Sequence, residues 1–190
     1  MSNNILFFCR KNCSYSKKLS LFLRKKAKKI KIISLDINEK PKNLKLLLQK
    51  KYNYIFSFRS TYILNQKLIK NTKVAAINFH PGTPKFRGIG CINFAILYDS
   101  KFYGVTAHLI NKKIDHGKIL DVKKFKIQKN TSLTNLLKKT HYQSYLQAKK
   151  VMSMLLKNSH NIKIMIKKNL KTTWSDKLYT RNDLNNLYQI

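Results

Sequence analysis

Acidic residues are scarce in this chain. Seven Asp and Glu stand against 40 Lys and Arg, for a formal net charge of +33. A field of that sign attracts polyanions such as nucleic acid, anionic lipid and phosphorylated metabolites. Arginine is scarce as well, confined to Arg10, Arg24, Arg59, Arg87 and Arg181. A nucleic-acid recognition surface favours Arg for its bidentate fork, and no aromatic–basic RNA-binding signature is present. Lys, Asn and Ile are abundant together, the pattern of an AT-rich coding bias. The charge therefore reads as compositional before it reads as a partner site. Only three cysteines occur, Cys9, Cys13 and Cys91, without CxxC spacing. They indicate neither a disulfide framework nor a metal site, and they fit a reducing compartment. No apolar run approaches the ~18 residues of a membrane span, and Met1 to Arg10 lacks the basic start and cleavage site of a signal peptide. These absences point to a cytoplasmic protein with no membrane association and no metal.

What is present suits a globular domain. Apolar residues make up 43%, with 10 Phe and 10 Tyr, and 190 residues suffice for one well-packed core. Ile5–Cys9, Ile30–Leu35, Tyr54–Phe58 and Val74–Asn78 read as strands. Between them, Ser16–Lys29, a segment from Pro41 through Leu44, Leu47 and Leu48, and Leu64–Lys70 read as helices. Strand and helix in alternation predict an α/β domain with a doubly wound, largely parallel sheet. Ile92–Tyr98 predicts a helix, Tyr103–Ile110 and Lys118–Val122 strands, and Phe125–Ile127 an extension of the sheet. Leu133–Leu156 predicts a long amphipathic helix. The tail shows no clear period until Asp183–Tyr188. There is no internal repeat and no linker, so residues 1–190 are expected to form a single domain, with 131–190 as its C-terminal helix and tail.

Proline and glycine are rare, 3 and 5 in the whole chain, yet Pro81, Gly82, Pro84, Gly88 and Gly90 crowd into one stretch. That concentration marks a constrained loop. Asn78 and His80 sit at its entry, at the carboxyl end of the fourth strand, where open α/β sheets hold their ligands. Residues two apart in an extended segment point to the same face. Asp115 lies in a second glycine-bearing turn, Asp115-His116-Gly117. A carboxamide, an imidazole and a carboxylate at strand ends suit acyl transfer. None is a Ser or Cys nucleophile, so the substrate supplies its own, and an amine is the natural candidate. A histidine after a strand and an Asp-x-Gly turn are also common structural features.

The segment Ile77-Asn78-Phe79-His80-Pro81-Gly82-Thr83-Pro84-Lys85-Phe86-Arg87-Gly88 resembles the signature of the folate-dependent formyltransferases. Gly104-Val105-Thr106-Ala107-His108 and Ile114-Asp115-His116-Gly117 follow in the family's order. The resemblance is clearest from about Tyr54 to Ile127. It implies a Rossmann-like formyltransferase fold, with 10-formyltetrahydrofolate as co-substrate and Asn78, His80 and Asp115 as the catalytic trio. Asn78 and His80 would stabilise the oxyanion, and Asp115 would assist proton transfer. It further implies pterin contacts from Ser57, Phe58, Arg59 and Ser60 and from the turn at Ile114 and Asp115, with His108 as a support behind the trio. Arg87, Lys85 and Arg10 are candidates for binding the acceptor.

Three acceptors compete within the family. The purine-type glycinamide ribonucleotide transformylases carry a Gly/Ser-rich loop after the first strand, whereas this chain has Cys9-Arg10-Lys11-Asn12-Cys13-Ser14. The methionyl-tRNA enzymes append a barrel for which 190 residues leave little room, which sets tRNA behind a small-molecule amine. His80-Pro81-Gly82-Thr83-Pro84, with Gly90-Cys91-Ile92-Asn93-Phe94-Ala95 after it, is similar to the sugar-amine N-formyltransferases, and Tyr179-Thr180-Arg181 adds a short match. The expected acceptor is a phosphorylated or nucleotide-linked amino sugar. A homodimer is compatible with this reading. The alternative of another class is a non-catalytic basic nucleic-acid-binding protein on the same fold.

Overall fold

A computed structural model describes residues 4–187. Its frame is a six-stranded sheet in the order β2-β1-β3-β4-β6-β7. Strands β1 (Asn4–Arg10), β2 (Lys29–Leu35), β3 (Tyr52–Phe58) and β4 (Thr72–His80) are parallel. Strand β6 (Phe102–Leu109) lies antiparallel to β4, and β7 (Ile119–Lys126) closes the sheet antiparallel to β6. The largely parallel expectation therefore holds for five of the six strands, and β6 alone makes the sheet mixed. The nine residues between β6 and β7 hold no crossover helix, so β7 returns antiparallel to β6 and thereby parallel to β4.

Both faces of the sheet are covered. On one face Ile5, Phe7, Phe56, Ile77 and Phe79 pack beneath α1 (Ser14–Lys26), α5 (Leu133–Lys157) and α6 (Asn161–Lys168). On the other, Leu6, Phe8, Ile55 and Ala76 meet α2 (Leu44–Gln49) and α3 (Gln66–Lys70). The central strands are buried on both faces, which is why they read as continuous apolar runs. Helix α5 starts at Ser132, whose side chain accepts from Asn135 N–H, and it buries Leu136, Thr140, Ser144, Gln147, Ala148, Val151 and Leu155 along one stripe.

Several boundaries differ from the sequence expectation. Strand β4 runs on through His80, so the histidine is the last strand residue. Pro41 stands outside α2, whose N-cap is Asn43 in a left-handed conformation. Lys118–Val122 and Phe125–Ile127 merge into the one edge strand β7, where Lys123 and Lys124 face solvent between half-buried neighbours. The tail holds α6, too short for its period to stand out. It also holds β8 (Leu178–Tyr179), which pairs with β5 (Arg87–Gly88), and α7 (Arg181–Asn186), started by a Thr180–Asp183 capping box. Tyr188, the end of the expected Asp183–Tyr188 period, lies outside the described residues. Near the Pro/Gly loop a third core gathers Phe86, Cys91, Phe94, Tyr103, Leu136 and Tyr179 around α4 (Cys91–Leu97). Among the described residues no helix is long and apolar enough to cross a membrane.

Candidate active site

Asn78 and His80 project from the end of β4, and register places them opposite His108 and Thr106 of β6. The turn after β6 returns Asp115 to the same point. The carboxylate is the hub. Its Oδ2 lies 3.2 Å from His80 Nδ1 and accepts from Gly88 N–H at 3.0 Å. Its Oδ1 lies 3.2 Å from His108 Nε2 and accepts from Asn78 Nδ2 at 3.2 Å. Asn78 Nδ2 is also 3.2 Å from His108 Nε2. Burial alone would raise the Asp115 carboxyl. The charge of His80, the hydrogen bond and charge of His108 and the Gly88 N–H outweigh it and hold the group well below the ordinary carboxylate range.

His80 has an oxygen at each ring nitrogen, Asp115 Oδ2 at Nδ1 and the Phe86 carbonyl at 2.7 Å from Nε2. Both partners only accept, so both contacts are satisfied together only when both nitrogens carry hydrogen. The ring is 3% exposed. Behind it, Cys91 Sγ is 3.9 Å from Nε2. Burial, and then the charge of Asp115, push that thiol well up, which leaves it inert as a nucleophile.

The loop after His80 is held by side chains from β6. Tyr103 donates its hydroxyl to Pro81 O at 2.8 Å, and Thr106 donates to Gly82 O at 2.8 Å. Residue 82 has to be glycine for lack of space, since a Cβ there would stand 2.4 Å from His80 Nε2. Gly88 has φ +91°, and its Cβ would fall 2.1 Å from Tyr179 O across the β5–β8 pair.

The tail enters the site through Trp174, which sequence reasoning missed. Its indole N–H donates to Gly117 O at 2.8 Å. Its ring stands edge-on to His108 at 5.0 Å and to His80 at 6.0 Å between centroids. An isolated aromatic in an aperiodic tail carries no local signal of such a contact.

The other expected residues divide. Arg87, expected to grip the acceptor phosphates, is buried and engaged elsewhere. Its Nε donates to Asp115 O at 2.9 Å, one terminal nitrogen to Ile114 O at 3.0 Å, and the other to Ser175 O at 2.8 Å and Asp176 O at 3.3 Å. The guanidinium ties the Asp115 turn to the tail, and its fork is not presented to a ligand. Lys85 is exposed, with its ammonium over the Phe86 ring at 5.4 Å. Arg10 ends β1, separated from β4 by β3, and is half-buried. Ser57 stands beside Asn78 in register. Phe58 is fully buried in the core, so any ligand contact from it comes through the backbone. Arg59 has φ 53° and donates to Cys13 Sγ at 3.1 Å, and Ser60 Oγ accepts from Tyr62 N–H. Ile114 is exposed at the edge of the site. Among the described residues no group of three His, Cys, Asp or Glu side chains is arranged to hold a metal ion.

Comparison with known proteins gives this geometry a context. The N-terminal formyl transferase family model, described as formyl transferase, matches residues 25–152. The bifunctional polymyxin resistance protein ArnA of Wigglesworthia glossinidia brevipalpis is 37% identical over 116 residues, 60% of this chain and 18% of that protein. The chain thus spans about a fifth of the length of that relative. Among solved structures, the N-formyltransferase from Helicobacter canadensis, in complex with folinic acid and dTDP-3-aminofucose, has a TM-score of 0.69 at 20% identity, over 96% of this chain and 72% of that one. Phosphoribosylglycinamide formyltransferase from Streptococcus pneumoniae has a TM-score of 0.64 at 15% identity, over 80% of this chain and 98% of that one. The family match takes in about two thirds of the chain, including β4, the Pro/Gly loop, β6 and the Asp115 turn, so the chain belongs to the formyl transferase family.

Proposed function

We propose that this protein transfers a formyl group from 10-formyltetrahydrofolate to the amine of a nucleotide-linked amino sugar. The observation that carries the reading is the convergence of Asn78, His80 and His108 on the one buried carboxylate of Asp115. The amine nitrogen attacks the formyl carbon, and negative charge gathers on the formyl oxygen. The carbon–nitrogen bond to the folate then breaks, and the proton lost by the amine ends on the folate nitrogen. Asn78 and His80 are the donors for the oxyanion, each worth about 3 kcal/mol in such a site. His80 Nε2–H now faces the Phe86 carbonyl. A developing alkoxide accepts more strongly than a neutral carbonyl, so the exchange of partners favours the transition state.

Asp115 fixes the His80 ring and balances its charge. A carboxylate that accepts from Asn78 and Gly88, faces two imidazoles and is held below its ordinary range is a weak base, so the amine proton passes on through water without settling on it. In this reading Ser57 to Ser60 and the Ile114 turn border the folate, and Lys85 and Arg10 are the cations left for the acceptor phosphates. The His80-Pro81-Gly82-Thr83-Pro84 loop and the amino-sugar complex of the Helicobacter canadensis neighbour support this choice of acceptor.

The test is a transfer assay with 10-formyltetrahydrofolate against nucleotide-linked amino sugars, glycinamide ribonucleotide and methionyl-tRNA. Formylation of an amino sugar is the expected result. Formylation of methionyl-tRNA alone would move the acceptor, and a chain that neither binds a folate analogue nor transfers formyl would belong to the non-catalytic class.

A further inference from the structure

The C-terminal segment around Trp174 lies beyond residues 25–152 of the family match, yet it touches both loops that carry the site. Ser175 N–H donates to Pro84 O at 2.9 Å, and Ile89 N–H donates to Tyr179 O at 2.9 Å. These contacts join the strap to the loop that follows His80. Trp174 reaches the other loop, donating to Gly117 O at 2.8 Å two residues after Asp115. Arg87 links the two through the carbonyls of Ile114, Asp115, Ser175 and Asp176. The indole is half-buried and leans on His108 and His80 at once. Among the described residues it is the one aromatic side chain in ring contact with either histidine.

We infer that Trp174 is a positioning residue for formyl transfer: it sets the two imidazoles against Asp115, and the tail strap completes the site. The inference rests on the proposed function for its kinetic part only. The physical argument is one of restraint. Asp115 holds a positive φ of 42°, which a non-glycine residue adopts at a cost and keeps only when its surroundings fix it. Its turn is fixed on one side by Arg87 and on the other by the indole N–H on Gly117. The edge-on ring contacts restrict both imidazoles to the orientation in which their nitrogens face the carboxylate. A catalytic donor displaced by about 1 Å can lose about a hundredfold in rate.

Two variants separate positioning from mere support. Trp174→Phe keeps an aromatic ring against the histidines and loses the N–H, whereas Trp174→Ala loses both. For Trp174→Ala we expect kcat to fall at least tenfold, with KM for folate and amine within about threefold and the melting temperature within a few degrees of wild type. Trp174→Phe should recover much of that loss. Equal kcat in wild type and Trp174→Ala would overturn the inference. So would equal losses in both variants with a matching fall in melting temperature, since that is the mark of a structural residue. A second readout needs no turnover. Trp174 is the only tryptophan in the chain, so intrinsic emission reports on its surroundings alone. His108→Gln should change that emission in the folded protein, even if every amine tested proves not to be a substrate. Unchanged emission would show that the indole is not seated on the histidine, and the inference fails whatever the activity assay gives.

Discussion

His80 Nδ1 and Asp115 Oδ2 stand 3.2 Å apart, with side-chain exposures of 3% and 9%. The pair is buried and built from the end of β4 and the turn between β6 and β7, which the β4–β6 pairing brings together. Removing one member leaves the other without its counter-charge in a low-dielectric site.

His80→Ala and Asp115→Asn should each lower formyl transfer at least a hundredfold. A strand-end turn is a place where replacement often leaves folding intact, but both of these side chains are buried. Each substitution should also cost about 3 kcal/mol, the scale for breaking a buried pair. Steady-state rates and urea midpoints of the purified variants check both halves. Near-normal turnover in either variant would remove that residue from the mechanism.

Asp115 also ties stability to pH. Its folded carboxyl is held below the ordinary range. Its stabilisation is therefore complete above the unfolded value of about 4 and is lost as pH falls toward the lower folded value. The gap in urea midpoint between wild type and Asp115→Asn should narrow as pH is taken below about 4. A gap that widens in acid would contradict the depressed proton affinity.

Arg87→Ala should weaken the whole site at once. Its guanidinium serves the carbonyls of Ile114, Asp115, Ser175 and Asp176. Orphaned buried carbonyls cost about 1–3 kcal/mol each, less where water enters. Melting temperature, folate affinity and acceptor KM should all deteriorate together. Arg87→Lys should rescue poorly, since an ammonium cannot span the same fork. A rise in acceptor KM alone, with stability intact, would return Arg87 to the phosphate role.

Gly82→Ala should disable the site with a smaller effect on the fold. The added Cβ would fall 2.4 Å from His80 Nε2 and 2.9 Å from Phe86 O, against the contact these two atoms make with each other. We expect at least a tenfold loss of kcat with a destabilisation of about 1–3 kcal/mol, typical of overpacking. Wild-type rates in this variant would show that the His80 position is not critical.

The Lys-rich surface should bind nucleic acid only weakly. Away from the site, the ion pairs among the described residues are Lys11–Asp36, Lys150–Asp121 and Lys177–Asp183, so most lysines have no acidic partner. Binding to mixed tRNA should fall steeply between about 50 and 200 mM salt, as counterion release requires. Tight, salt-resistant binding to one tRNA species would favour the methionyl-tRNA reading.

The amino-acid sequence alone makes legible the order of strands and helices, the constrained loop and the candidacy of Asn78, His80 and Asp115. These are local properties: apolar runs, Pro and Gly placement, and residue types at strand ends. It also carried the alternation from which two covered faces follow. Only tertiary structure decided the roles of residues whose partners are remote in sequence. Arg87 looked like a phosphate ligand because an arginine in a loop has no local sign of what it bonds, and its carbonyl partners come from the Asp115 turn and the tail. Trp174 was invisible because its meaning depends on Gly117 and two histidines on other elements. His108 proved to touch Asp115 and Asn78 directly, a consequence of the β4–β6 register. Periodicity records which face a residue turns to the core. It does not record which other segment waits there, and that is where this site was completed.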